Sequence, residues 1–167
     1  MILRSMAVAF LMNENQEVLF LHKKDDAAFL PGYLVPVGGH IEPVELKEPL
    51  ISCYREIEEE TGLHKNQIEN LRLRYIIYRL KGFNDVRVQY VFFGEVLKHS
   101  TLVSSEEGTV QWVPLSELDK KQVSETTREL IDHYISHEQS ESIYVGSMCK
   151  ENSHPKMNWS ILEDWEH

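Results

Sequence analysis

The pattern of apolar and polar positions near the start of the chain predicts three short strands. Apolar, partly β-branched runs cover residues 6–12 and 18–21, and the polar turn between them predicts a hairpin. A third apolar run covers residues 34–37 and stops at the pair Gly38-Gly39, where the backbone can turn sharply. The first part of the chain is therefore predicted to form sheet, and the glycine pair ends its third strand.

A helix is predicted next, from Lys47 or Glu48 to Thr61. Pro49 suits the first helical turn, because the N–H that proline lacks has no partner there. Gly62 suits the end of the helix, where a left-handed backbone conformation is common.

The second half of the chain repeats the order of strands followed by a helix. Two longer strands are predicted at residues 71–80 and 86–92, a short strand at residues 110–113 and an amphipathic helix at residues 124–137. Strands, helix, strands and helix in that order predict an α/β fold, with a mixed sheet that has a helix on each side.

The length of 167 residues fits one domain with a terminal segment. Clear periodicity ends near His137, so we predict a domain over residues 1–137 and a C-terminal tail over residues 138–167. Trp159 and Trp165 lie in that tail, and large aromatic side chains favour docking over free solvation. We expect the tail to dock on the domain or on a second subunit, and the protein to be a monomer or a homodimer.

Charge and cysteine content narrow the classes of partner. The formal net charge is −10, which argues against binding of duplex nucleic acid, because that binding depends on cationic contacts to phosphate. No apolar run approaches the roughly 20 residues of a membrane span, and the N-terminal segment does not resemble a secretory signal. The two cysteines are too few for a disulfide framework. We therefore expect a cytoplasmic protein that acts on a small molecule, with neither membrane nor duplex nucleic acid as a partner.

The densest acidic cluster lies at the end of the first predicted helix. Glu56, Glu59 and Glu60 share an arc of about 100° at helical spacing, and like charges so placed destabilise a helix by about 0.2–0.5 kcal/mol per pair. Divalent cations with oxygen ligands would offset that repulsion, and Mg²⁺ binds through a few carboxylates together with substrate phosphates. The alternative is a solvated acidic face without a ligand, which is the common role of a charge run.

Two segments resemble the Nudix box, namely GGHIEPVE at residues 38–45 and REIEEETGL at residues 55–63. The family pattern is Gly, five residues, Glu, seven residues, then Arg-Glu-aliphatic-x-Glu-Glu-x-Gly-aliphatic. The second segment matches at every specified position, and Gly39 and Glu45 have the expected spacing. The gap from Glu45 to Arg55 is nine residues instead of seven, which indicates a two-residue insertion and leaves the role of Glu45 open.

The resemblance covers about residues 5–137 and implies the Nudix α/β/α sandwich. It also implies hydrolysis of a nucleoside diphosphate linked to another moiety, with Mg²⁺ or Mn²⁺ as cofactor. Glu56 is by the same resemblance a candidate base, and Arg55 would act by orienting a neighbouring carboxylate. The implied metal ligands are the helix carboxylates and one backbone carbonyl, namely Glu56, Glu59, Glu60 and Gly38.

Further candidates lie outside the box. In similar proteins an acidic residue in the loop before the last short strand reaches the metal site, and Glu107 holds that place here, with Glu106 as the second choice. Glu107 is therefore a candidate proton acceptor. Three arginines on the predicted strands are candidates for bidentate contacts to substrate phosphate, with solvated strand faces as the alternative, namely Arg72, Arg74 and Arg87.

The leading interpretation is a Mg²⁺-dependent pyrophosphohydrolase similar to MutT, which would cleave a nucleoside triphosphate to a nucleoside monophosphate and pyrophosphate. The resemblance makes 8-oxo-dGTP a natural substrate to consider. A second interpretation keeps the chemistry and changes the substrate to another diphosphate, such as a nucleotide sugar or a dinucleoside polyphosphate. A third is a Nudix-fold sensor that binds its ligand without hydrolysis, and the complete set of helix carboxylates favours the enzyme.

Overall fold

The computed structural model describes residues 1–166 and contains one mixed sheet with a helix packed against each face. The predicted α/β class and the order of elements up to the second helix are confirmed. Within the described residues, no helix is long and apolar enough to cross a membrane. The elements are β1 (Ile2–Met12), β2 (Glu17–Lys23), β3 (Leu34–His40), α1 (Pro49–Thr61), β4 (Ile68–Lys81), β5 (Asp85–Val96), β6 (Gly108–Pro114), α2 (Glu125–Ser136), β7 (Ile143–Glu151) and β8 (His154–Leu162).

The order of the strands across the sheet is β6-β2-β3-β1-β5-β4-β7-β8. β1 is antiparallel to β3 on one side and parallel to β5 on the other. The predicted hairpin of the first two strands is present mainly as a turn. β1 and β2 pair at Met12 and Val18, and beyond that point β3 lies between them. Local alternation therefore identified these strands, but it did not give their neighbours.

Alternate side chains of the central strands divide into two apolar layers, because successive residues of a strand point to opposite faces. On the α2 side, Phe10, Phe20 and Phe93 belong to one buried cluster with Leu130 and Ile131 of that helix. On the α1 side, the buried cluster includes Ala7, Ala9, Leu11, Phe92 and, from the helix, Cys53 and Ile57.

The residues after α2 form an antiparallel hairpin, β7 and β8, that extends the sheet at one edge. β7 runs parallel to β4, with Tyr144 beside Tyr75. Tyr144 and Met157 are buried in the α2-side cluster, and Trp159 packs against it, whereas Trp165 is exposed. The weak periodicity after the second helix thus concealed two strands, of which β8 is the edge strand of the sheet. The boundary at residue 137 stays a prediction.

Removal of residues 138–167 tests this boundary. We expect the shortened chain to fold, because the α1-side layer remains intact, but to unfold at lower urea concentration. Loss of Tyr144 and Met157 uncovers part of the core around Tyr75, and each fully buried apolar side chain contributes about 1.5–3 kcal/mol. Urea unfolding followed by circular dichroism measures the change, and Met157→Ala in the full chain calibrates the loss of a single contact. A shortened chain without cooperative unfolding would show that the hairpin belongs to the folding unit.

Candidate active site

The end of β3 offers a backbone surface without side chains. Gly38 has φ of +145°, and a Cβ at this position would overlap Ala7 O and Val8 of the neighbouring strand. A Cβ at Gly39 would lie 2.5 Å from Glu56 Oε2. Backbone atoms exclude any side chain at Gly38, and a side chain at Gly39 would displace the Glu56 carboxylate, so the pair lets carboxylates of α1 approach the strand backbone directly.

Two carboxylates of α1 lie against this surface. Glu60 is 5% exposed, and its Oε2 accepts a hydrogen bond from Gly38 N at 2.9 Å. Burial raises the pKa of Glu60 to about 8; the Gly38 hydrogen bond opposes this shift, whereas the charges of Glu107 and Glu56 add to it. Burial also raises the pKa of Glu56, against the opposing hydrogen bond from Arg55. An added cation would stabilise the ionised form of both side chains.

Arg55 links the acidic side chains of α1 to the loop before the helix. Its Nε and Nη2 donate to Glu45 Oε1 and Oε2, both at 3.0 Å, and its Nη1 donates to Glu56 Oε1 at 2.7 Å and to Glu59 Oε2 at 3.4 Å. The Arg55 and Ser52 hydrogen bonds lower the pKa of Glu45 to about 2. The two-residue insertion therefore leaves Glu45 in bidentate contact with Arg55, which is held beside Glu56.

Glu107 reaches the same region from the loop before β6. Its Oε2 lies 2.7 Å from Lys23 Nζ, and its charge raises the pKa of both Glu56 and Glu60. Because such coupling needs proximity, the loop and the helix present their carboxylates to a common space. Glu106, the second candidate for the proton acceptor, does not line the cleft that these carboxylates border.

An open cleft of about 1010 Å³ joins this acidic region to the α2-side face of the sheet. Glu56, Glu59 and Glu107 line it together with Gly38 and Gly39. Further walls come from the first turn of α2, from the loop before β3, and from β1, β4 and β5. The volume is at the upper end of the range of small-molecule pockets, so the cleft has room for a nucleotide.

The three arginines predicted to contact substrate are not brought together. Arg87 lines the cleft, whereas Arg72 and Arg74 do not. Arg72 pairs with Glu141 at 3.3 Å on the surface, and Arg74 is buried, with its Nη2 donating to His137 O at 3.3 Å. The register of β4 against β5 shifts near both residues, so a simple period of two misassigns their faces. The contacts expected from Arg72 and Arg74 therefore have no counterpart in this cleft.

Sequence analysis missed three cationic residues that line the cleft, namely Arg4, Lys23 and Arg79. Arg79 follows buried Tyr75 and Ile77 at a spacing of two, which places all three on the same face of β4, and this signal was present in the sequence. Arg4 precedes the predicted start of β1, and its neighbour in the sheet is β5, to which β1 is parallel. Parallel partners lie far apart in sequence, so no local pattern connects them.

The carboxylates of Glu56, Glu59, Glu60 and Glu107 form the acidic edge of the cleft. They suit a hard divalent cation, because such cations prefer oxygen ligands. Glu56 and Glu60 lie against the glycine pair. The charge of Glu107 disfavours the ionised form of both side chains, and the charge of Glu56 also disfavours the ionised form of Glu60. In the described part of the chain, no three acidic, imidazole or thiol side chains are already gathered around one metal position. Arg55 pairs with Glu56 through Oε1 and Lys23 pairs with Glu107 through Oε2, which leaves the other oxygen of each carboxylate for a cation.

A family comparison gives a match over most of the chain. The NUDIX domain model matches residues 2–134, which include strands β1 to β6, α1 and most of α2. No curated protein matches the chain significantly.

Solved structures show the same fold. The crystal structure of the mutator MutT protein from Bacillus halodurans has a TM-score of 0.69 at 18% identity, covering 95% of this chain and 97% of that one. The MutT protein from Methanosarcina mazei Go1 has a TM-score of 0.68 at 22% identity, with coverages of 83% and 97%. An Ap4A hydrolase binary complex from C. elegans has a TM-score of 0.63 at 16% identity, with coverages of 81% and 96%.

Replacement of Glu45 tests whether its contact with Arg55 holds the helix carboxylates in place. Glu45→Gln removes one charge-assisted acceptor from the guanidinium, so Arg55 and Glu56 lose a fixed orientation. We expect affinity for Mn²⁺ to fall by about 10- to 100-fold, as is typical when a partner of a ligand is removed. Titration calorimetry measures the affinity, and Glu48→Gln on the same exposed loop is the matched control. Equal Mn²⁺ affinity in the two variants would contradict this role of Glu45.

Proposed function

The chain belongs to the NUDIX family of hydrolases, and from this premise we propose that it is a divalent-cation-dependent pyrophosphohydrolase of nucleotides. The proposed reaction cleaves a nucleoside triphosphate with water to a nucleoside monophosphate and pyrophosphate. The observation that carries the proposal is the pair of carboxylates Glu56 and Glu60, packed on glycine backbone beside a cleft with room for a nucleotide.

We propose that Mg²⁺ or Mn²⁺ is held by the carboxylates of Glu56, Glu59 and Glu60 and by the carbonyl of Gly38. Such a cation, when bound, would polarise the diphosphate and lower the pKa of a water molecule. The protein itself fixes the two less exposed carboxylates, because Glu60 accepts from Gly38 N and Glu56 accepts from Arg55. Ligands fixed in advance reduce the reorganisation needed during the reaction.

Glu107 is the proposed proton acceptor for the attacking water. It belongs to a loop separate from α1, so it remains available when the helix carboxylates hold a cation. Lys23 orients the Glu107 carboxylate at the cleft through their 2.7 Å ion pair. Glu56 is the alternative acceptor, since it lines the same cleft.

Two arginines have separate proposed roles. Arg55 acts in catalysis by orienting Glu56 and Glu59, with which it forms ion pairs. Arg87 contacts an anionic group of the substrate, because it lines the cleft and guanidinium groups bind phosphate in a bidentate manner.

The proposed substrate is a nucleoside triphosphate, with 8-oxo-dGTP as the oxidised nucleotide to test first. Of the three similar solved structures described above, two are MutT proteins and one is an Ap4A hydrolase complex. Dinucleoside polyphosphates and nucleotide sugars are therefore the second candidate class. A sensor without hydrolysis is less well supported, because the carboxylate set of α1 is complete.

We propose a cytoplasmic monomer or homodimer that acts on small molecules. Cys53 is buried and Cys149 is exposed, and both are free thiols. An exposed free thiol supports a reducing compartment.

A substrate panel tests the proposed function. Release of pyrophosphate and phosphate is measured for dGTP, 8-oxo-dGTP, a nucleotide sugar and a dinucleoside polyphosphate, each with Mg²⁺, Mn²⁺ or EDTA. The proposal expects hydrolysis of at least one member with a divalent cation and none with EDTA. Tight nucleotide binding without hydrolysis under every condition would favour the sensor instead.

Replacement of helix carboxylates tests their role as metal ligands. We expect Glu59→Gln and Glu60→Gln each to lower turnover by about 10²-fold or more, because each removes negative charge from the proposed metal site. Glu60→Gln should unfold at the same or a higher temperature in EDTA, since a buried amide costs less than a buried carboxylate and still accepts from Gly38 N.

Glu58→Gln is the matched control, because Glu58 lies on the same helix, is exposed and pairs with His64. Unchanged cation-dependent activity in both Glu59→Gln and Glu60→Gln would refute the assignment.

Replacement of Glu107 tests the proton acceptor. We expect Glu107→Gln to lower kcat by about 10²–10⁴-fold, with KM less affected, because general-base catalysis contributes in that range. Glu106→Gln is the control from the same loop. A smaller loss with weaker metal dependence would mark Glu107 as an accessory ligand. Near wild-type rates for both variants, alone and combined, would return the base to α1, with Glu56 as the leading candidate.

A further inference from the structure

Three arginines lie side by side in the cleft, one on each of three adjacent strands. Arg4 of β1 is in register with Arg87 of β5, which is in register with Arg79 of β4. In-register neighbours project from the same face of a sheet, and like charges placed directly opposite are destabilising. We call Arg4, Arg79 and Arg87 the arginine cluster. Its members all line the cleft.

The arginine cluster is only partly neutralised. Asp85 lies 3.4 Å from Arg4 Nε and 3.2 Å from Arg87 Nη2, so one carboxylate faces two guanidinium groups. Within residues 1–166, Arg79 forms no ion pair, and the buried Arg87 Nε has no hydrogen-bond partner. Burial, followed by the charge of Arg87, lowers the pKa of Arg79. A chain with a net charge of −10 thus places three guanidinium groups against one carboxylate, Asp85, in its cleft.

The arginine cluster lies away from the proposed metal site, along β1. Val8 is in register with Gly38, and Arg4 precedes Val8 by four residues, which corresponds to about 13 Å along an extended strand. A diphosphate group spans only a few ångströms, which is less than this backbone separation, so the arginine cluster is placed for an anionic group beyond the scissile diphosphate. Phe29 borders the cleft here, with its ring centroid 5.8 Å from the Arg87 guanidinium.

We propose that the arginine cluster binds a second phosphoryl group of the substrate, carried by the moiety on the far side of the scissile diphosphate. The substrate is therefore a diphosphate whose nucleoside or sugar portion is itself phosphorylated, which belongs to the second candidate class of the proposed function and not to the nucleoside triphosphates. This inference rests on the proposed function, because the metal site fixes where the scissile diphosphate lies.

Phosphate explains the cluster better than a neutral group would. Guanidinium groups present paired N–H donors that match phosphate oxygens, and the unpartnered Arg87 Nε is one such donor. A neutral base or sugar would leave the repulsion among the three guanidinium groups uncompensated, whereas a dianion would offset it.

Matched ligands that differ by one phosphate test the proposal. NAD⁺ and NADP⁺ are compared for hydrolysis, and adenosine 5′-monophosphate and adenosine 3′,5′-bisphosphate are compared for binding by calorimetry. We expect the phosphorylated member of each pair to be favoured by about 10- to 100-fold, the range for hydrogen bonds to charged groups. Arg79→Gln should remove most of that preference, because it weakens binding of the bisphosphate more than binding of adenosine 5′-monophosphate. Arg79→Lys should restore part of it, since it keeps the charge but loses the planar donor pair.

Arg72→Gln is the control, because Arg72 is on the same strand outside the cleft and should keep the full preference. Equal affinity of the wild-type protein for both members of the binding pair would overturn the proposal. Hydrolysis of NAD⁺ and NADP⁺ at equal rates, with equal binding, would do so while leaving the proposed function intact. Tighter binding of the bisphosphate without hydrolysis of any diphosphate would uphold the cluster and reject the proposed function.

Discussion

The acidic edge of the cleft depends on one electrostatic constraint, which is that Glu56 and Glu60 lie close together away from bulk water. Burial disfavours the charge of each, and each has one fixed donor, namely Arg55 for Glu56 and the Gly38 N–H for Glu60. Side chains at the glycine pair would remove the space for this arrangement. The bidentate contact to Glu45 holds Arg55, the donor to Glu56, in place.

The pairing register of the strands places the positive charges of the cleft apart from its negative charges. The acidic side chains come from α1 and from the loop before β6, whereas the arginine cluster comes from three central strands. Since the parallel pairing of β1 with β5 sets the position of Arg4 beside Arg87, a shift of one residue would turn one of them to the other face. The cleft thus has an acidic and a basic part whose separation is determined by the sheet.

The C-terminal hairpin supports the other wall of the cleft through α2. Tyr144 and Trp159 surround His133 of this helix, and burial, followed by the charges of His137 and Arg74, lowers the pKa of His133 to about 4. Arg74 is buried against the carbonyl at the end of α2, where a cation opposes the negative end of the helix dipole. This position explains an arginine that the sequence offered as a substrate contact. The first turn of the same helix lines the cleft, so the packing of the hairpin reaches the site indirectly.

The sequence by itself determined the α/β class, the central strands, both helices and the acidic face of α1, because each of these is encoded in local periodicity or in a spaced motif. It also directed attention to Glu107 from the position of its loop. The strand order, the two C-terminal strands and the alignment of Arg4, Arg79 and Arg87 were decided by the tertiary structure. These features depend on pairing between residues far apart in the chain, and a strand carries the same alternation whichever neighbour it has. The role of Glu45 was likewise decided by the tertiary structure. The insertion changes the spacing between Glu45 and Arg55 along the chain, but the two side chains are still in contact.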